Sequence, residues 1–146
     1  MTTIRKLNLF VVDDDASIVR LADKYLRGTF ADRITLSAFS DPLLARQTIE
    51  DTGCDVLISD IQMPGLDGLE MLRIAKQRNA WTQVIFMTAY STWDCIAAAI
   101  EAGACDYLLK PLQREDLNRV VEQSCERLAR WQKVVRATWQ QPVVNA

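Results

Sequence analysis

At 146 residues, 49% hydrophobic and 25% charged, the chain has the material for one α/β domain with a core of its own and little more. A net charge of −2 and a sequence pI near 5.1 exclude the basic footprint on which direct nucleic-acid binding depends. No apolar stretch approaches the roughly 18 to 20 residues that span a bilayer, and the first residues lack a secretory signal core, so the expected location is the cytoplasm, with no membrane contact. There is no histidine, which removes the commonest metal ligand and general base together with Ser-His-Asp and Cys-His chemistry. Cys54, Cys95, Cys105 and Cys125 form no C-x-x-C pair and read as reduced thiols packed as small hydrophobes.

Strand and helix signals alternate along the chain. The run Leu9 to Val12 is the first predicted strand, followed by a helix from about Ala16 to Leu26, capped by Asp15 and ended by Gly28. Arg33 to Phe39 alternates as a second strand. Asp41-Pro42 opens a second helix, with Asp at the N-cap and Pro at the first helical position, and Gly53 closes it ahead of a third strand at Asp55 to Ser59. Met63-Pro64-Gly65 interrupts the chain. A third helix covers about Leu69 to Arg78, with Asp67-Gly68 read as a turn and helix start in which Gly supplies a permissive backbone. A fourth strand runs from Gln83 to Met87, a fourth helix from about Trp93 to Glu101 ended by Gly103, and a fifth strand from Asp106 to Leu109. Five successive βα units with right-handed crossovers predict a doubly wound, flavodoxin-like α/β fold: a five-stranded parallel sheet, order 2-1-3-4-5, with helices on both faces.

The fifth helix, from near Glu115, is irregular in length. Its apolar positions Leu117, Val120, Val121, Leu128, Trp131, Val134, Val135 and Trp139 continue for about six turns without Gly or Pro before Pro142. Covering the sheet needs only about 12 residues. The expected organisation is therefore a domain over residues 1–126 and a helical extension over 127–146, serving as a linker or a dimerisation helix.

Each apolar strand run ends on a polar residue: Asp14 shortly after the first, Asp60 after the third, Thr88 after the fourth and Lys110 after the fifth. Functional groups of open parallel sheets collect at the carboxyl ends of the strands, so two carboxylates, a hydroxyl and a cation are expected in one cleft. An aspartate becomes a phosphoryl acceptor when a divalent cation and a fixed positive charge neutralise the phosphoryl oxygens, and Asp60 is the candidate. Asp13 and Asp14 follow a strand expected to neighbour that of Asp60; clustered carboxylates repel unless a cation joins them, and Mg²⁺, which takes oxygen ligands, suits them. N-capping accounts for Asp15 without a site role.

Val11-Val12-Asp13-Asp14, Ser59 through Gly68, Met87-Thr88-Ala89 and Tyr107-Leu108-Leu109-Lys110-Pro111 together resemble the receiver domain of two-component response regulators, over about residues 6 to 126. The resemblance implies that Asp60 accepts a phosphoryl group from a histidine kinase or phosphotransfer protein. Asp14, Asp60 and the main-chain carbonyl of Gln62 would bind Mg²⁺ directly, with Asp13 acting largely through water. It further implies Thr88, Ala89, Lys110 and Tyr107 as phosphoryl-binding and switch residues, and a cis peptide at Lys110-Pro111. By the same resemblance, Tyr90 and Gln62 would stand at positions that modulate hydrolysis, and bulky Tyr90, where many receivers carry a small or acidic residue, predicts slow self-dephosphorylation. Thr88-Ala89-Tyr90-Ser91 with Gly103 to Tyr107 looks most like nitrogen-regulation-type receivers. The readout surface, implied to be the fourth helix, fifth strand and fifth helix, includes or adjoins Trp93, Asp106 and Tyr107 and would control an effector domain or protein. Such a module catalyses only its own phosphorylation and dephosphorylation. The alternative reading is a receiver-like interaction module that works without phosphorylation. A haloacid-dehalogenase-like phosphatase is disfavoured because position 62, where a second Asp is needed, is Gln.

Overall fold

The computed structural model describes residues 5–142, and five βα units build it: β1 (Leu7–Val12), α1 (Ala16–Phe30), β2 (Ile34–Phe39), α2 (Pro42–Thr52), β3 (Val56–Asp60), α3 (Gly68–Arg78), β4 (Gln83–Thr88), α4 (Trp93–Ala102), β5 (Asp106–Leu109) and α5 (Arg114–Trp139). The strands pair in parallel in the order β2-β1-β3-β4-β5, as the alternating pattern predicts. The strand runs are continuously apolar because both faces of the sheet are covered. Successive side chains point to opposite faces, so Leu9, Val11, Ile58, Ile85 and Met87 pack under α1 and α5, while Phe10, Val12, Leu57, Val84 and Phe86 pack under α2, α3 and α4. At roughly 1.5–3 kcal/mol for each fully buried large aliphatic or aromatic side chain, these two layers dominate the stability of the fold.

Helix starts follow the cap residues. Asp15 accepts from the Ser17 amide at 2.9 Å, Asp41 from Leu43 at 3.0 Å, Asp67 from Glu70 at 2.7 Å and Thr92 from Cys95 at 3.1 Å, each satisfying an otherwise orphan N–H. Gly103, at φ +93°, ends α4 in the left-handed conformation.

Gly28 does not end α1; the helix runs through it to Phe30. A helix-ending glycine acts by adopting positive φ, and Gly28 does not. Continuing the helix buries Phe30 completely, with the Arg33 guanidinium 4.7 Å above its ring, and burial worth about 2–3 kcal/mol outweighs the roughly 1 kcal/mol that a mid-helix glycine costs.

α5 is one unbroken helix of 26 residues. Leu117, Val120, Val121, Ser124 and Leu128 are buried against the domain, Asn118 and Glu122 bond to Thr29 and Arg33, and Arg127 donates to Gln83 at 2.8 Å. From Ala129 onward every described residue is exposed. All four cysteines are free thiols; burial raises that of Cys54 to about 12, out of reach of thiolate chemistry at neutral pH. No described helix is long and apolar enough to cross a membrane.

Candidate functional site

The sheet order reverses direction between β1 and β3, and the cleft at the carboxyl end of that switch point is where doubly wound folds carry ligands. Asp13, one residue past β1, and Asp60, the last residue of β3, both project there. Thr88 ends β4 and Lys110 follows β5, so four adjacent strand ends supply the cleft.

Lys110 ties the carboxylates together. Its Nζ donates to Asp13 Oδ2 at 2.6 Å and to Asp60 Oδ2 at 3.0 Å. Asp13 is fully buried, Asp60 nearly so, and the lysine side chain is only 12% exposed. Asp13 Oδ1 accepts from the Asp15 amide at 2.9 Å, and Asp60 Oδ1 from the Gln62 amide at 3.2 Å. Burial lifts the Asp13 carboxyl above its ordinary range, against the opposing pull of the Lys110 ammonium. For Lys110 burial acts to lower the value, but the bonds to Asp13 and Asp60 outweigh it, so the ammonium is held charged.

Asp14 is exposed at the mouth, and carboxylate oxygens of Asp13, Asp14 and Asp60 lie within 4.8 Å of one another. Three carboxylates face one ammonium. That unbalanced, all-oxygen set fits a hard divalent cation of the Mg²⁺ type.

Around this centre, the buried Thr88 hydroxyl oxygen accepts from the Tyr90 amide at 3.1 Å, which leaves its proton free to donate. Ala89 and Tyr90 are exposed, Tyr90 to 76%. The Lys110 amide donates to the Thr88 carbonyl at 2.9 Å, and the Lys110–Pro111 peptide is cis, as expected. Tyr107 is half-buried in β5 with its hydroxyl 3.0 Å from Ser91 Oγ. Gln62 follows Asp60 with an exposed side chain.

Two contributions escape a sequence reading. Gly68 has negative φ, so conformational freedom is not its use; a Cβ there would meet the Asp60 carbonyl oxygen at 2.3 Å and Ile61 Cα at 2.8 Å. Only glycine lets the start of α3 seat against the backbone that carries Asp60, where its amide bonds to the Ile61 carbonyl at 2.7 Å. Ser59, fully buried beside Asp60, donates to the Asp60 carbonyl at 2.9 Å, and nothing in its sequence context separates it from an ordinary strand serine.

A doubly wound sheet with an acidic, lysine-bridged switch-point cleft defines a class, and the chain belongs to it: residues 9–122 match the family described as "Response regulator receiver domain". Among individual relatives, it is 38% identical over 116 residues to the DNA-binding transcriptional regulator NtrC of Escherichia coli (strain K12), covering 80% of this chain and 24% of NtrC. It is 34% identical over 119 residues to the transcriptional regulatory protein ZraR of Klebsiella oxytoca, covering 82% of this chain and 26% of that protein. The chain thus spans about a quarter of the length of these curated relatives, and the likeness is to receivers of the nitrogen-regulation type. A solved signal receiver domain of a putative Luxo repressor protein from Vibrio parahaemolyticus aligns with a TM-score of 0.78 at 25% identity, covering 90% of this chain and 98% of that one.

Proposed function

We propose that this receiver is a phosphorylation switch whose phosphoacceptor is Asp60. The observation that carries the reading is the charge imbalance of the cleft: three carboxylates cluster around one lysine, which bridges only Asp13 and Asp60, at 2.6 and 3.0 Å, an arrangement that a bound cation relieves. Asp14, Asp60 and the Gln62 carbonyl would hold Mg²⁺, with Asp13 acting through water. When bound, the ion supplies charge neutralisation for the phosphoryl oxygens.

An Asp60 carboxylate oxygen attacks phosphorus of a phosphohistidine on a histidine kinase or phosphotransfer protein. The O–P bond forms as the P–N bond breaks, and the departing imidazole nitrogen takes its proton from solvent. Lys110, already 3.0 Å from Asp60, pairs with the incoming group, and the free Thr88 proton and the Ala89 amide donate to its oxygens. Drawing Thr88 inward frees space for Tyr107, whose hydroxyl is bonded to exposed Ser91 in the present state, and so biases the α4-β5-α5 surface that meets an effector. In this reading residues 1–126 form the switch and 127–146 an extension; the chain catalyses only its own phosphorylation and dephosphorylation, in the cytoplasm.

Intact mass after incubation with acetyl phosphate and Mg²⁺, beside Asp60→Asn, tests the assignment. Gain of one phosphoryl group by the parent alone is expected. Equal gain by Asp60→Asn, or none by the parent with either acetyl phosphate or a phosphorylated kinase, would sink it in favour of a phosphorylation-independent module.

A further inference from the structure

We propose that Ser59 is a positioning residue of the cation site: its hydroxyl fixes the main chain that follows Asp60, so that the Gln62 carbonyl is held ready for Mg²⁺. The inference rests on the phosphorylation-switch reading, in which that carbonyl is a metal ligand. Ser59 stands where a hydroxyl is a cost. Its register partners are Val12 of β1 and Phe86 of β4, and all three residues are fully buried. Because strand residues alternate between faces, Ser59 shares with Leu57 the side packed under α2, α3 and α4. That layer needs apolar bulk, and a hydroxyl buried in it is unfavourable unless it is bonded. The bond it makes runs to the Asp60 carbonyl at 2.9 Å.

The three residues that follow show what the bond does. The Asp60 carbonyl accepts from Ser59 on one side and has Gly68 against it on the other, so close that a Cβ there would meet its oxygen at 2.3 Å. The next carbonyl, that of Ile61, accepts from the Gly68 amide at 2.7 Å. The Gln62 amide turns back to Asp60 Oδ1 at 3.2 Å, while the Gln62 carbonyl, third in the series, has no main-chain donor among the described residues. Two carbonyls are engaged and the third is left for a cation. Successive planar peptides are joined only at a shared Cα, so turning the Asp60–Ile61 peptide would swing the Gln62 carbonyl with it.

Ser59 acts from behind the ligands, and groups that orient metal ligands in this way are typically worth about tenfold to a hundredfold in metal affinity. Because its hold is made by a side chain, one substitution removes it without touching a carboxylate, Lys110 or the packing of Gly68.

Calorimetric titration of the full chain with MgCl₂, without any phosphoryl donor, reads this apart from phosphorylation. Ser59→Ala is expected to weaken Mg²⁺ binding about tenfold, and Ser59→Cys, which keeps the volume but donates only weakly, falls between it and the parent. Both variants should melt within a few degrees of the parent when Mg²⁺ is absent. Ser124→Ala removes a second buried serine, one on α5 that lies 3.7 Å from Cys105, and should bind Mg²⁺ as the parent does. In acetyl phosphate uptake, the KM for Mg²⁺ of Ser59→Ala rises by the same factor, while the rate at saturating Mg²⁺ stays within about twofold. Unchanged Mg²⁺ affinity in Ser59→Ala, a lower saturated rate with affinity intact, or an equal loss of affinity in Ser124→Ala would overturn the proposal and leave Asp60 as the acceptor. A parent chain that binds no Mg²⁺ would overturn the phosphorylation reading as well.

Discussion

The two ends of the sheet each bury an aspartate against a basic side chain, and they do it to opposite effect. At the amino ends, Asp55 takes two bonds from the Arg5 guanidinium, at 3.0 and 3.2 Å, and a third from the Asn8 amide at 2.7 Å. At the carboxyl ends, Asp13 and Asp60 divide a single ammonium, with Asp14 crowding them. Asp55 has its own countercharge and a hydrogen bond tying β3 to β1; it is finished as a structural group. The other end is left short of positive charge. A buried carboxylate is therefore not by itself a functional signal; the deficit of compensation around it is.

Substitutions at the two ends should separate those roles. Asp55→Ala strands the Asn8 N–H while Arg5, largely exposed, rehydrates, and the expected cost is about 2–4 kcal/mol, a fall in melting temperature of roughly 5–15 °C, with phosphoryl uptake retained. Asp60→Asn should instead raise stability by about 1 kcal/mol through relief of carboxylate repulsion, while losing uptake. Paired denaturation curves decide it; a destabilised Asp60→Asn would erase the contrast. Next in size, Gly68→Ala places a methyl against the Asp60 carbonyl and should cost about 2 kcal/mol and slow uptake together, whereas Gly28→Ala, with open space around it, should be neutral or mildly stabilising; urea midpoints with uptake kinetics check both. At the mouth of the cleft, Tyr90→Ala should shorten the phosphoryl half-life by about threefold to tenfold, corresponding to roughly 1 kcal/mol, because the ring no longer shields the water path; an unchanged half-life would mean the exposed side chain leaves that path open.

The smallest effect concerns a half-exposed pair on the amino-end side, where Arg33 directly precedes β2. The Arg33 guanidinium beside Glu122, bonded at 2.9 and 2.6 Å, holds its carboxyl below the ordinary range. A carboxyl lowered in the folded state adds stability that is full above its unfolded value and is lost as pH falls through the folded one. With side chains 47% and 40% exposed, the pair contributes at most about 0.5–1 kcal/mol, screened by salt. Glu122→Gln should accordingly lower the urea midpoint slightly at neutral pH and match the parent well below the ordinary carboxylate range. A difference that persists in acid would assign the effect to packing.

Much of the cleft could be read along the chain because its members stand at strand ends, and strand ends are marked by where an apolar run stops: Asp60 after Ile58-Ser59, Thr88 after Phe86-Met87, Lys110 after Leu108-Leu109. Cap residues were equally legible, since Asp15, Asp41 and Asp67 act on amides two or three residues away. Gly28 misled because a glycine says that the chain is free to turn, and only Phe30 finding a full pocket decided that it does not. Ser91 reaching Tyr107 and Arg33 reaching Glu122 join residues far apart in sequence, which no local pattern encodes.

The sequence by itself determined the alternation of elements, the parallel doubly wound sheet and the set of carboxylates, hydroxyl and lysine at its strand ends, because periodicity, caps and apolar run lengths are local properties of the chain. Tertiary structure alone decided that Asp13 is sealed from water while Asp14 stays exposed, that one ammonium is divided between two carboxylates, and that Gly68 serves by having no side chain. Burial, shared countercharge and steric exclusion are relations between segments, and they exist only once the strands lie side by side.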